Sequence, residues 1–285
     1  MTYARPDALV STEWLAARLD APDVRVVDGS FYLPAAKRDP KAEYANQHIP
    51  GAVFFDIDEI ADTDSPLPHM LPSPEKFSSR VRKLGLGDGS KIVIYDTTPM
   101  TGAARVWWMF RTMGHKDVSI LDGGLPKWMA EGRPVTDDPT PPRDRHFTAR
   151  LDHTLVRSLD DVKKLLDSKR EQVVDARAAN RFRGEAPEPR AGLRSGHMPG
   201  ALNLPYNDLI DPKTGTMLPA DQLAKRIAAA GIDPAKKVTA SCGSGVTACV
   251  VALGLYLIGA PEAAVYDGSW TEWGGRPDTP IVTGP

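Results

Sequence analysis

The chain repeats itself. Val26-Val27-Asp28 returns as Val173-Val174-Asp175 (175 − 28 = 147), and His48-Ile49-Pro50-Gly51-Ala52 returns as His197-Met198-Pro199-Gly200-Ala201 (197 − 48 = 149). Residues 91–96 lie over 237–242 (242 − 96 = 146), and Asp122-Gly123-Gly124…Trp128 lies over Asp267-Gly268-Ser269…Trp273 (273 − 128 = 145). A near-constant offset across separate motifs means two tandem copies of one fold. The length agrees, since 285 residues is about twice the ~150 that serve as a prior for one domain.

Within each copy, short apolar runs alternate with helical spacing. Val24–Asp28, Lys91–Asp96 and Val118–Leu121 read as strands, the second apolar throughout, as in a sheet buried on both faces. Ser11 before Trp14, Leu15 and Leu19 marks a helix start, as does Pro74 before Phe77, Val81 and Leu84, with Gly85 as the stop. A further helix is expected over Arg105–Met113, and Ser158-Leu159-Asp160-Asp161 opens one in the second copy. The expected fold class is α/β, with two domains that are each a small, mainly parallel sheet carrying helices on both faces. The first copy takes residues 1–138 and the second 155–285. Between them, 139–154 is a semi-extended linker, with Pro139, Pro141 and Pro142 and no periodicity.

Composition removes several function classes. A formal net charge of −2, with 25% charged and 41% apolar residues, gives no global attraction to nucleic acid or to an anionic membrane. The N-terminus lacks the apolar core of a signal peptide. The most apolar stretch, 246–260, falls short of the ~20 residues of a membrane span and reads as a buried helix. Cys242 and Cys249 form neither a CxxC pair nor a disulfide framework, so a reducing cytoplasm is expected. Six scattered histidines offer no metal-ligand spacing, and no metal is expected.

The chemistry concentrates in Cys242-Gly243-Ser244-Gly245-Val246-Thr247, between the strand 237–241 and the apolar helix that follows. A glycine-rich strand-to-helix turn aims backbone N–H groups and a helix N-terminus at one sulfur. This favours thiolate over thiol and marks Cys242 as a nucleophile cradled by Gly243, Gly245, Val246 and Thr247. Copy one has Asp96 at the corresponding position, so only one copy is active. The stretch 181–190 is rich in arginines, whose forks suit oxyanions, while Arg183 and Arg194 read as surface residues. His48 and His197 occupy equivalent turns and are expected to serve the fold. Trp107, Trp108 and Cys249 read as core or interface, and Arg105 as facing the interface.

The paired His-x-Pro-Gly-Ala turns, Asp96 in one loop and Cys242 to Ala248 in the other resemble the rhodanese family over nearly the whole chain. The cysteine loop is similar to that of its 3-mercaptopyruvate sulfurtransferase branch, because Gly243 and Ser244 are neutral where thiosulfate-preferring members carry basic residues. The resemblance implies a cofactor-free enzyme that takes sulfur from 3-mercaptopyruvate onto Cys242 as a persulfide. Pyruvate leaves, and the sulfur passes to thioredoxin, a small thiol or cyanide. It further implies Arg181 and Arg190 as the substrate clamp, and Ser244, His69 and Asp58 as groups acting on the substrate. The alternatives are a thiosulfate sulfurtransferase on the same Cys242 and, more remotely, a non-catalytic interaction protein. A Cys-x5-Arg phosphatase is excluded by Ala248.

Overall fold

A computed structural model of the chain describes residues 2–33, 36–98, 100–141 and 145–285; Met1, Pro99 and the linker residue Pro142 lie outside that set. Strands β1 (Leu9–Val10), β2 (Val24–Asp28), β3 (Val53–Phe54), β4 (Lys91–Tyr95) and β5 (Val118–Leu121) form one sheet. A second sheet comprises β6 (Val156–Arg157), β7 (Gln172–Asp175), β8 (Leu202–Asn203), β9 (Val238–Ser241) and β10 (Ala264–Tyr266). Their orders, β1-β5-β4-β2-β3 and β6-β10-β9-β7-β8, are the same, and every pairing is parallel. The duplication is therefore one of topology as well as of sequence.

Parallel strands covered on both faces must be apolar on both, and β4 shows how. Side chains alternate along a strand, so Ile92 and Ile94 enter one apolar cluster while Val93 and Tyr95 enter another. On the first face lie α3 (Pro74–Lys83) and α4 (Thr101–Thr112); on the second lie α1 (Thr12–Ala16), α2 (Pro40–Asn46) and α5 (Gly124–Ala130). The second copy buries α6 (Leu159–Ser168) and α10 (Ser269–Trp273) on one face, and α8 (Ala220–Ala229) and α9 (Ala248–Leu257) on the other, with the short α7 (Ala179–Phe182) following β7. One cluster joins the copies, running from Phe77 and Val106 to Leu223 and Val250, with α4 packed on α9 at the seam. Trp107 and Trp108 belong to this cluster.

The local signals act as expected, with two shifts of boundary. Ser11 accepts from the Trp14 N–H, and Ser158 with Asp161 forms a reciprocal capping box. Leu19, read as part of the first helix, lies beyond its end at Ala16. The helix expected from Arg105 begins at Thr101, because Asp96 Oδ2 accepts from the Ala103 N–H at 3.0 Å and supplies the first turn with a cap across the loop. The apolar helix α9 is buried along its whole length. Among the described residues no helix is long and apolar enough to cross a membrane.

The copy-one loop holds a carboxyl group where copy two holds sulfur. Burial pushes the Asp96 pKa up to about 7, against the Ala103 N–H bond and with the help of the Asp28 carboxylate. A carboxyl raised in the folded state binds its proton more tightly there than in the unfolded chain, where its value is near 3.8. Its contribution to stability is thus complete below about pH 4 and is lost as pH rises through about 7. Asp96→Asn keeps the shape without the charge. Its melting temperature relative to wild type should rise between pH 4 and pH 8 and then level off, as thermal denaturation across that range would show.

Candidate active site

The C-terminal ends of the central strands converge, as expected for a ligand site in an open parallel sheet. Asp175 ends β7, Cys242 follows β9 and Asp267 follows β10. The cysteine loop is held by the start of α10. The Cys242 N–H donates to Ser269 Oγ at 3.1 Å, and the Trp270 N–H donates to the Cys242 carbonyl at 2.9 Å. The Thr271 N–H and hydroxyl both donate to the Gly243 carbonyl, at 2.8 and 2.7 Å. Gly245 has φ +77°, and a Cβ there would lie 2.8 Å from the Asp267 carbonyl oxygen and 3.1 Å from Arg105 Nη1. The turn thus requires glycine on both counts. Cys242 is 2% exposed and Ser244 4%; Val246 and Thr247 carry the loop into α9.

Cys249, the second residue of α9, donates its thiol to the Gly245 carbonyl at 3.2 Å. Burial pushes its pKa far up, so it is a core thiol that braces the loop.

Arg181 and Arg190 face Gly243, with guanidinium nitrogens 3.5 and 3.9 Å from the position a Cβ would take there. Arg190 Nη2 also donates toward Ser244 Oγ and His69 Nε2, each at 3.4 Å. Desolvation pulls the Arg190 pKa down, while Cys242 acts in the opposite sense. His69 comes from the other copy. Its Nδ1 lies 2.6 Å from Asp58 Oδ1, and because a guanidinium can only donate, the geometry assigns the Nδ1 proton to that bond. The bond from His69 holds the Asp58 carboxyl below its ordinary range. The imidazole is 7% exposed and Asp58 65%, so the histidine lies inside the cleft with its carboxylate at the rim. Cys242, Ser244, Arg181, Arg190, His69 and Asp58 are therefore brought together.

The rhodanese-like domain family matches residues 11–131 and 158–276. The chain belongs to the rhodanese family. It is 44% identical to human 3-mercaptopyruvate sulfurtransferase over 97% of its length and 96% of that protein. It is 43% identical to bovine thiosulfate sulfurtransferase over 97% and 96%. The crystal structure of SseA from Escherichia coli, described as a 3-mercaptopyruvate sulfotransferase, superposes with a TM-score of 0.85 at 39% identity, covering 92% of this chain and 98% of that one.

In this tandem rhodanese fold, the remaining singled-out residues fall outside the cluster. Arg183 pairs with Glu185 at the surface, and the exposed Arg194 bonds carbonyls of the closing loop at Trp273 and Thr279. His48 and His197 bond the carbonyls of Tyr44 and Phe182, each at 2.8 Å, and stack on those same side chains.

Sequence reasoning passed over the groups that hold the clamp. Glu188, its side chain 1% exposed, accepts from Arg181 at 2.6 Å and from Arg177 at 2.9 Å. Arg177 forks onto Asp175 and lies over the Trp270 ring at 4.0 Å. This Asp175–Arg177–Glu188–Arg181 chain fixes one fork of the clamp before any substrate arrives. An acid enclosed by arginines within ten residues was the available signal. The sequence also left the partner of Arg105 unnamed. That residue is wholly buried and pairs with Asp267 Oδ1 at 2.6 Å. Burial opposes its charge, yet Asp267 keeps its pKa above the ordinary value. Glu188→Gln, which leaves two guanidinium groups short of a counter-charge, should lower unfolding stability by about 3–5 kcal/mol in denaturant titration.

Proposed function

We propose that the chain is a sulfurtransferase that moves the sulfur of 3-mercaptopyruvate through a Cys242 persulfide to a thiol acceptor. The observation that carries the reading is the position of the cations. The loop residues beside Cys242 are the neutral Gly243 and Ser244, and the positive charge comes from Arg181 and Arg190, outside the loop and facing Gly243. A mercapto-acid suits this arrangement, since its carboxylate sits away from the sulfur under attack.

In the first half-reaction the Cys242 thiolate attacks the donor sulfur. The S–S bond forms as the C–S bond breaks, and its electrons leave on carbon as the pyruvate enolate. Arg181 and Arg190 hold the carboxylate and carbonyl oxygens, favouring the enolate charge. Ser244 relays the proton of the donor thiol to the departing enolate to give pyruvate, with His69, carried on Asp58, at the same Arg190. The enzyme is left as the persulfide anion Cys242-S-S⁻, stabilised by the N–H groups of Gly243, Gly245, Val246 and Thr247. An acceptor thiolate then takes the outer sulfur as its own persulfide and restores the Cys242 thiolate. Thioredoxin and a small thiol both satisfy that step, and cyanide takes the same outer sulfur as thiocyanate. The step requires reduced Cys242, which suits a reducing compartment, and the cytoplasm is the one proposed. The same reading makes 1–138 the supporting copy, 139–154 the linker and 155–285 the cysteine-bearing copy, a division supported by sheets that span 9–121 and 156–266.

Thiosulfate sulfurtransferase is the second reading, favoured by the 43% identity to relatives of that name, close to the 44% to the mercaptopyruvate enzyme. Steady-state rates with the two donors separate them, and kcat/KM should be higher with 3-mercaptopyruvate; parity or a preference for thiosulfate reverses the assignment. Cys242→Ser should abolish pyruvate release. Arg181→Ala and Arg190→Ala should each raise KM for 3-mercaptopyruvate about tenfold or more, the loss of a charged hydrogen bond. Unchanged KM in both would remove the clamp from the mechanism.

A further inference from the structure

Arg105 is an ionisable residue on a helix that is otherwise apolar from Ala103 to Phe110, and it is wholly buried. Its Nη1 donates to Asp267 Oδ1 at 2.6 Å and to the Gly245 carbonyl at 3.2 Å, while Nη2 donates to the His69 carbonyl. The second oxygen of Asp267 accepts from the Leu71 N–H at 2.6 Å. One ion pair thus takes the carbonyl of His69, the N–H two residues on, and the carbonyl of the residue next to Ser244. His69 has φ +61°, a left-handed conformation that a non-glycine residue keeps only where its surroundings impose it. From there its Nε2 comes within 3.4 Å of Arg190 Nη2, as Ser244 Oγ does from the cysteine loop.

We propose that Arg105, locked by Asp267, is a positioning residue for sulfur transfer, one guanidinium setting the separation of His69 from the Ser244 side of the cysteine loop across the domain interface. It rests on the reading that His69 and Ser244 serve the departing enolate. Arg105 acts through those groups, since its bonded atoms are protein atoms and it has no exposed surface. The fork geometry is what the task requires. A lysine would bring a single charged point to Asp267 without reaching both carbonyls.

The test is steady-state kinetics of the full chain with 3-mercaptopyruvate for Arg105→Lys, Asp267→Asn, His69→Asn and the Arg105→Lys/His69→Asn double variant, with kcat followed over pH. Arg105→Lys should lower kcat about 10–100-fold with KM changed less than about threefold, in line with a displacement of catalytic groups by about 1 Å. Its kcat–pH profile should depart from that of wild type in the same sense as that of His69→Asn. The double variant should be within about twofold of His69→Asn alone, because the lost geometry matters only while the imidazole is present. Asp267→Asn should follow the same pattern, and it carries the comparison if Arg105→Lys fails to fold. Near-wild-type kcat in both interface variants overturns the inference. So does a loss that multiplies with that of His69→Asn, which marks the pair as structural and leaves the His69 reading standing. Wild-type kcat in His69→Asn itself removes that reading, and the inference falls with it.

Discussion

A buried charge at the seam between the copies sets the terms for the rest of the molecule. Removing a guanidinium from water costs on the order of several kcal/mol unless its donors and its charge are matched. Arg105 has its charge met by the Asp267 carboxylate, its terminal nitrogens by that carboxylate and the carbonyls of Gly245 and His69, and its face by Trp108 at 4.5 Å, while its buried Nε has no hydrogen-bond partner. These partners come from both copies, 162 residues apart in the case of Asp267. The match exists only when both sheets are folded and docked with α4 against α9. An apolar seam alone tolerates sliding, since burial is non-directional, whereas this one has a charged pin that accepts a single alignment.

The two copies share a backbone and have opposite electrostatics. In each, an aspartate at the end of a strand accepts the N–H two residues on: Ser30 to Asp28 at 2.8 Å and Arg177 to Asp175 at 2.9 Å. Copy one places a neutral hydroxyl at that second position, and burial raises the pKa values of both Asp28 and Asp96. Copy two places a guanidinium there, which neutralises Asp175 and extends through Glu188 to Arg181 beside the cysteine loop. One cradle suits a proton-bearing carboxyl, and the other brings guanidinium groups beside the cysteine loop. The copy without the cysteine is not idle, because it brings Arg105 to Gly245 and Asp267, and His69, paired with Asp58, to Arg190 of the cysteine-bearing copy.

Much of this was legible from residue order. The offsets near 147 defined two copies before any strand was assigned, and the runs at Lys91 and Lys237 predicted buried parallel strands. The turn after Cys242 pointed to the sulfur, and the arginines at 181 and 190 were singled out on the same stretch that the structure turns toward Gly243. The start of α4 was hidden because Asp96 caps it from outside the helix, a contact that local propensity does not register. Glu188 was hidden because a short run of mixed charges reads as a solvated loop until it is buried. Asp267 was hidden although it repeats Asp122, since repetition suggests a role in the fold and does not name a partner.

The sequence by itself determined the α/β class, the duplication, and the glycine-rich turn that sets Cys242 in one copy against Asp96 in the other; the remaining candidate site residues rested on the resemblance to the rhodanese family. The class, the duplication and the turn follow from periodicity, repetition and residue chemistry, all of which are read along the chain. Only the tertiary structure decided that His69 of one copy meets Arg190 and Ser244 of the other, that Glu188 braces the clamp, and that Arg105 and Asp267 join the halves. Such pairings depend on docking geometry and desolvation. Neither is encoded in spacing, because a charge finds its partner through the low-dielectric interface that folding itself creates.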